Sequence, residues 1–274
     1  MAAQQLVRVS HRAGVMTLTM ANPKSRNALS STMIQTLRSH LEADCSHGIQ
    51  SGARVVVLTG CNGCFSSGHD LKEIMAARQD EQALARIFEG CGALMTAIRE
   101  HPVPVIAAVD GPAHAAGCEL VASADIVVAD ELSATFATPG VRIGLFCHTP
   151  SVAIANALGG GAAGARRAAL MLYSGKPVEA RAAAEIGLVH EVARAGRALH
   201  AANEIAASIA DASPTVIRRG KSVLRQTAHA RSLDEAHRIA RLAMVDGAMA
   251  NQAAEGIRAF LDKRVPTWPA DPSA

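Results

Sequence analysis

Between Asp110 and Asp125 the chain reads "GPAHAAGCELVASA", almost wholly small and apolar, with Glu119 as its single acidic residue. A carboxylate left unpaired in a protein interior costs several kcal/mol, or takes up a proton instead. Glu119 is therefore at a surface, paired, or placed to move a proton. Ala115, Ala116 and Gly117 just before it would open a helix whose first N–H groups lack intrahelical acceptors, and such a terminus draws negative charge. On the plainer reading Glu119 only complements that terminus, the usual role of an acid in a first turn. Burial raises its pKa and the terminus lowers it, so the sequence leaves the balance open.

A second segment, "CFSSGHDLKE" (Cys64 to Glu73), sets Gly68 after small residues, which lets backbone approach a ligand with its N–H groups turned outward. Read plainly, it is a Gly-Ser turn. Together the two loops offer two backbone N–H groups and one carboxylate. That set suits a carbonyl compound passing through an enolate: the N–H pair holds the oxygen and the carboxylate moves the proton.

The elements that must position these loops follow from hydrophobic period. "LVRVSHRAGVMTLTM" alternates on both sides of Arg12-Ala13-Gly14 and predicts a β-hairpin. The polar loop "NPKSRNALS" follows, then a helix capped by Ser31 with Met33, Ile34, Leu37 and Leu41 at helical spacing. "ARVVVLTG" and "VPVIAAVDG" read as buried strands, each ending just before one of the two loops, with a helix from Asp80 to Glu100 between them. "DIVVAD" and "ATFAT" read as short strands. This is an α/β rhythm, with function expected at the strand ends. From about Thr149 Ala-rich helices take over, ending in three amphipathic segments and a fourth, "EGIRAFLDKR". A helical tail with large apolar faces is a candidate oligomer surface.

The 274 residues suffice for a large core, and 49% hydrophobic against 19% charged residues is a globular composition. Aromatics at 3% and a net charge of +3 argue against a nucleic-acid partner. No apolar run reaches the roughly 18 residues of a membrane span. Six scattered cysteines with no secretory apolar run at the start predict a reducing, cytoplasmic compartment. "CNGC" (Cys61 to Cys64) is a lone CxxC without a second ligand pair, so no metal site is expected.

"NPKSRNALS", "FSSGHDLKE", "AVDGPAHAAGCELVASADI", "FATPGVRIGL", "SGKPVEARAAAEIGLVHEV" and "EGIRAFLDKR", in this order, resemble the crotonase (enoyl-CoA hydratase/isomerase) superfamily over nearly the whole chain. The resemblance implies a crotonase-like α/β spiral of ββα turns over residues 1–205 and a C-terminal helical trimerisation region over 206–274. It implies homotrimers or hexamers, and a CoA thioester as substrate rather than a separate cofactor. It assigns the oxyanion N–H groups to His69 and to Ala116, where the family usually has glycine. His69, Asp70, Leu71 and Lys72, with Ser67, Gly68 and Gly117, would line the CoA; Arg26 and Ala28 would flank its nucleotide; Phe260 and Lys263 would reach a neighbour's CoA. Glu119 falls on the first of the two hydratase glutamates.

The second glutamate follows proline in the family motif, and here "ATPG" puts Gly140 there. Losing one acid–base group costs ~10²–10⁴-fold in rate. His148, in "GLFCHTP", stands where other members carry a functional aspartate, and histidine titrates in the right range. Cys147 is its neighbour, but adjacency alone does not orient a thiol–imidazole pair. Three readings follow: a hydratase with Glu119 as acid/base, an isomerase or other enolate enzyme assisted by His148, and a CoA-binding protein with little catalysis.

Overall fold

The computed structural model describes residues 5–46 and 52–269. β1 (Val7–Arg12) and β2 (Val15–Met20) form the expected hairpin, closed by Ala13 and Gly14 at φ 49° and 77°. Positive φ at both central positions gives the turn whose twist matches that of the strands. From β2 onward the sheet is parallel, through β3 (Val55–Thr59), β4 (Val105–Val109), β6 (Ile126–Asp130) and β9 (Glu191–Ala193), in the order β1-β2-β3-β4-β6-β9. A smaller sheet joins β5 (Pro112–His114), β7 (Thr135–Ala137) and β8 (Val178–Glu179).

Every residue of β3 and β4 is buried, as in a parallel sheet covered on both faces. Their alternate residues feed two cores. Val55, Val57, Ile106 and Ala108 meet α8 (Ala198–Ala210), whose stripe Ala198, Ala202, Ala206 and Ala210 lets the helix lie close to the sheet. Val56, Leu58, Val105 and Ala107 face the other core, built with α1 (Ser31–Ser46) and α3 (Glu81–Glu100). β3 leads through the Ser66–His69 turn into α2 (Leu71–Ala77), and β4 leads through β5 into α4 (Ala116–Ala122). Both candidate loops therefore emerge at the same end of neighbouring strands.

After β7 come α5 (His148–Ala157), α6 (Gly161–Ser174) and α7 (Ala180–Glu185). The C-terminal region carries α9 (Pro214–Ala228), α10 (Leu233–Met249) and α11 (Asn251–Leu261). Ser213 and Ser232 cap α9 and α10. Buried Lys221 of α9 donates to Asp125 Oδ2 at 2.6 Å and to the Val103 carbonyl at 3.0 Å, anchoring these helices to loops at the ends of β4 and β6. α10 and α11 leave Leu242, Met244, Val245, Met249, Ile257 and Phe260 exposed.

The cap of α1 is one residue earlier than expected. Ser30 Oγ accepts the Met33 N–H at 3.2 Å, the N-cap to N3 bond, while Ser31 is helical and donates its N–H and hydroxyl to Glu73. Two adjacent serines gave the sequence no means of choosing. β5, β8 and β9, two or three residues each, went unread.

Candidate active site

The "SRNAL" loop and the "SSGH" turn are tied together through the backbone. Ser67 N–H donates to the Arg26 carbonyl at 3.0 Å, and Leu29 N–H to the Gly68 carbonyl at 2.8 Å. Ser66 Oγ donates to the Asn27 carbonyl at 2.8 Å. Asn27 is fully buried; its Nδ2 donates to the Cys64 carbonyl at 2.8 Å and its Oδ1 accepts the Asn22 N–H at 3.0 Å. This clamp was missed in the sequence, where Asn27 looked like one more polar loop residue.

The turn in turn meets the start of α4. His114 N–H donates to the Ser66 carbonyl at 2.9 Å, and Gly68 has φ +90°. A side chain at Gly68 would come within 2.8 Å of Ala115 Cβ and 3.0 Å of Ala116 N, so glycine is required both by conformation and by contact. Ala116, where the family usually has glycine, is the first helical residue of α4, and the positive φ of this turn falls on Ala115, with φ 49° and ψ −119°. A non-glycine residue held there is strained, and such strain collects at functional turns. Among the described residues, the backbone N–H groups of His69 and Ala116 donate to no protein acceptor.

Glu119 lies in the first turn of α4 and is only 4% exposed. Thr149 Oγ1, in the first turn of α5, donates to its Oε2 at 3.1 Å. Its Oε1 has no protein partner among the described residues, yet is not sealed. Burial raises the Glu119 pKa to about 7, with the Thr149 hydrogen bond acting against it. The balance left open by the sequence thus falls to desolvation.

An apolar cavity of about 470 Å³ is lined in part by Thr149, the residue that holds this carboxylate. Leu71, Ile74, Phe88, Leu145 and Phe146 line it, with Ser67, His69, Ala116, His148 and Thr149. The His69 ring packs edge-on against Phe88 at 5.3 Å, its Nε2 is buried without a partner, and burial lowers its pKa. A second cavity of about 340 Å³ lies around Arg26, Cys61, Pro112 and His114, and shares Ser67 and Pro139 with the first.

The structure brings together Ser67, Gly68, His69, Leu71, Ala116 and Glu119. Gly117 is buried beside them in α4. Arg26 lines the second cavity, buried Ala28 precedes Leu29, and Asp70 caps α2 by accepting the Lys72 N–H. Phe260 is 81% exposed near the end of α11, Lys263 follows that helix, and neither lines either cavity. His148 is exposed at the cavity wall, its ring 5.0 Å from that of Phe146, and it makes no hydrogen bond to Glu119. Thr149, its neighbour, makes that bond and went unread, because a contact spanning 30 positions leaves no local mark.

Gly140 is the second residue of a short 3₁₀ turn, Pro139–Ile143. A Cβ there would stand 1.9 Å from the Leu145 carbonyl and 3.0 Å from Cys147 Sγ. The position lacks a carboxylate and, in this turn, has no room for one.

Residues 10–271 match the family model described as enoyl-CoA hydratase/isomerase. The chain belongs to that family. It is 41% identical over 260 residues to human "Enoyl-CoA hydratase domain-containing protein 3, mitochondrial", covering 94% of this chain and 82% of the relative. It is 31% identical over 269 residues to 2,3-dehydroadipyl-CoA hydratase of Escherichia coli K12, covering 95% and 97%. The crystal structure of human enoyl coenzyme A hydratase domain-containing protein 3 superposes with a TM-score of 0.88 at 39% identity, covering 96% of this chain and all of that one. The fold is the crotonase fold, with a helical C-terminal region. The cytoplasmic expectation is overturned: the human, rat and zebrafish relatives are named mitochondrial. Free cysteines speak only for a reducing environment, a property that does not single out the cytosol.

Proposed function

We propose that the protein hydrates 2-enoyl-CoA thioesters reversibly, with Glu119 as its single acid/base. The observation that carries this reading is a buried carboxylate with a pKa near 7, held by Thr149 in the lining of an apolar cavity that also includes His69 and Ala116, whose backbone N–H groups have no protein acceptor among the described residues. The thioester oxygen accepts from the N–H groups of His69 and Ala116. As water adds to the β-carbon, its proton passes to Glu119 and the electron pair of the double bond moves onto that oxygen. Glu119 then returns the proton to the α-carbon. One group can serve both steps because its pKa lies near working pH, where giving and taking are balanced. Thr149 keeps the carboxylate oriented. The apolar cavity takes the acyl chain, and the turns joined at Ser67 carry the pantetheine and nucleotide along Arg26, Ala28, Asp70, Leu71 and Lys72. Trimers, two of which can pair, would cover the apolar face of α10 and α11 and bring Phe260 and Lys263 to a neighbour's CoA.

A second reading is double-bond isomerisation. It is favoured by the lack of a carboxylate at Gly140, since moving one proton between two carbons needs one base. His148 is less suited to assist, being exposed and unattached to Glu119. Crotonyl-CoA hydration, followed by loss of the enoyl-thioester absorbance in wild type and Glu119→Gln, tests the first reading. Turnover that vanishes in the variant supports it. Turnover that survives removes Glu119 from the mechanism. No hydration, with 3-enoyl-CoA converted to 2-enoyl-CoA, selects the isomerase. Tight acyl-CoA binding without turnover of either would leave the binding role.

A further inference from the structure

Cys147 has no part in the steps above, yet it is buried in the wall of the same cavity. It is the N-cap of α5, and its Sγ lies 3.0 Å from where a Cβ at Gly140 would stand. The thiol thus fills space at the point where the missing carboxylate would branch. The Gly140 backbone lowers the pKa of this thiol, against the rise that burial causes. Two residues on, Thr149 holds Glu119, whose Oε1 is unpartnered although the residue is only 4% exposed. Cys147 and Thr149 both line the cavity, and the Thr149 hydroxyl ties their short segment to the carboxylate of Glu119.

We propose that Cys147 is a covalent acceptor for α,β-unsaturated acyl-CoA thioesters, adding through Sγ to the β-carbon. This rests on the reading that the cavity takes 2-enoyl-CoA. The S–H bond breaks and its proton passes to Glu119 as the S–C bond forms. The π electrons move onto the thioester oxygen, and Glu119 then protonates the α-carbon. The product holds every atom of the enoyl-CoA, with no oxidation or leaving group. Burial, and secondarily the Glu119 charge, keep Cys147 protonated at neutral pH, so the step depends on the base. Cys91 and Cys118 lie outside the cavity lining, each pushed up to about 12 by burial. Cys61 and Cys64 belong to the other cavity.

The test is intact-protein mass spectrometry with peptide mapping after incubation with acryloyl-CoA and crotonyl-CoA. Wild type, Cys147→Ser, Cys147→Ala and Glu119→Gln are compared, and binding of saturated butyryl-CoA is titrated in parallel. The expected result is an adduct of the whole enoyl-CoA mapped to Cys147, absent from both cysteine variants and at least about tenfold slower to form in Glu119→Gln. Mapping in wild type locates the adduct even where a variant folds poorly. Butyryl-CoA binding without an adduct, or an adduct on another residue, overturns this inference and leaves the enoyl-CoA reading intact. Failure to bind butyryl-CoA overturns both.

Discussion

Glu119→Gln should make the protein more stable, by an amount that depends on pH. In the unfolded chain the carboxyl titrates near its ordinary 4.5, whereas burial holds it to about 7 in the fold. Below the lower value both states carry the proton and substitution changes little. Between the two, only the folded state keeps it, so wild-type stability falls as pH rises, and above about 7 the loss is complete. At ~1.36 kcal/mol per pH unit, the separation amounts to about 3 kcal/mol. Glutamine has no charge to bury, and its carbonyl can still accept from Thr149. For a chain of this size each kcal/mol moves Tm by roughly 2 °C, so the variant should melt about 6 °C above wild type at pH 8 and level with it at pH 4.5. Paired thermal melts from pH 4.5 to 8.5 measure this, and subtracting wild type removes every titration the two proteins share. A difference that stays flat across the range would show that Glu119 is not held protonated by burial, and the assignment of its acid/base role would lose its physical basis. The same variant should lose ~10²–10⁴-fold in turnover.

Thr149→Val removes the donor that lowers the Glu119 pKa, so the acidic limb of kcat/KM against pH should move upward by a unit or less, for a bond of about 1 kcal/mol; an unmoved limb means another group sets it. Gly140→Ala presses a methyl against the Leu145 carbonyl and should cost about 1–3 kcal/mol in urea unfolding; Gly140→Glu should gain no hydration rate, and a gain would mean the turn opens readily. Asp125→Ala leaves Lys221 buried without its carboxylate, and a loss of about 3 kcal/mol is expected in the same assay; a neutral effect would show the α9 anchor to be solvated.

The sequence by itself determined the hairpin, the buried strands, the Asp80–Glu100 helix and the helical C-terminal half, because each rests on a period or cap of a few neighbouring residues. The ordered motifs determined the family, while the two loops and Glu119 stood out from their residue types alone. What only the tertiary structure decided is the state of those residues. Whether Glu119 was a helix-terminus partner or a buried acid depended on the walls packed around it, and desolvation won. His148 carried the chemistry on paper, but the rotation of α5 gives the bond to Thr149 and leaves the imidazole exposed. Gly140 showed in the sequence as a missing acid; the fold adds that the Leu145 carbonyl fills its place and that Cys147 lies beside it. Asn27 looked like a loop residue until its amide was found joining two turns across 37 positions. Period and capping report neighbours along the chain, whereas a carboxylate's pKa and a pocket's shape are set by groups that meet only when distant strands and helices pack.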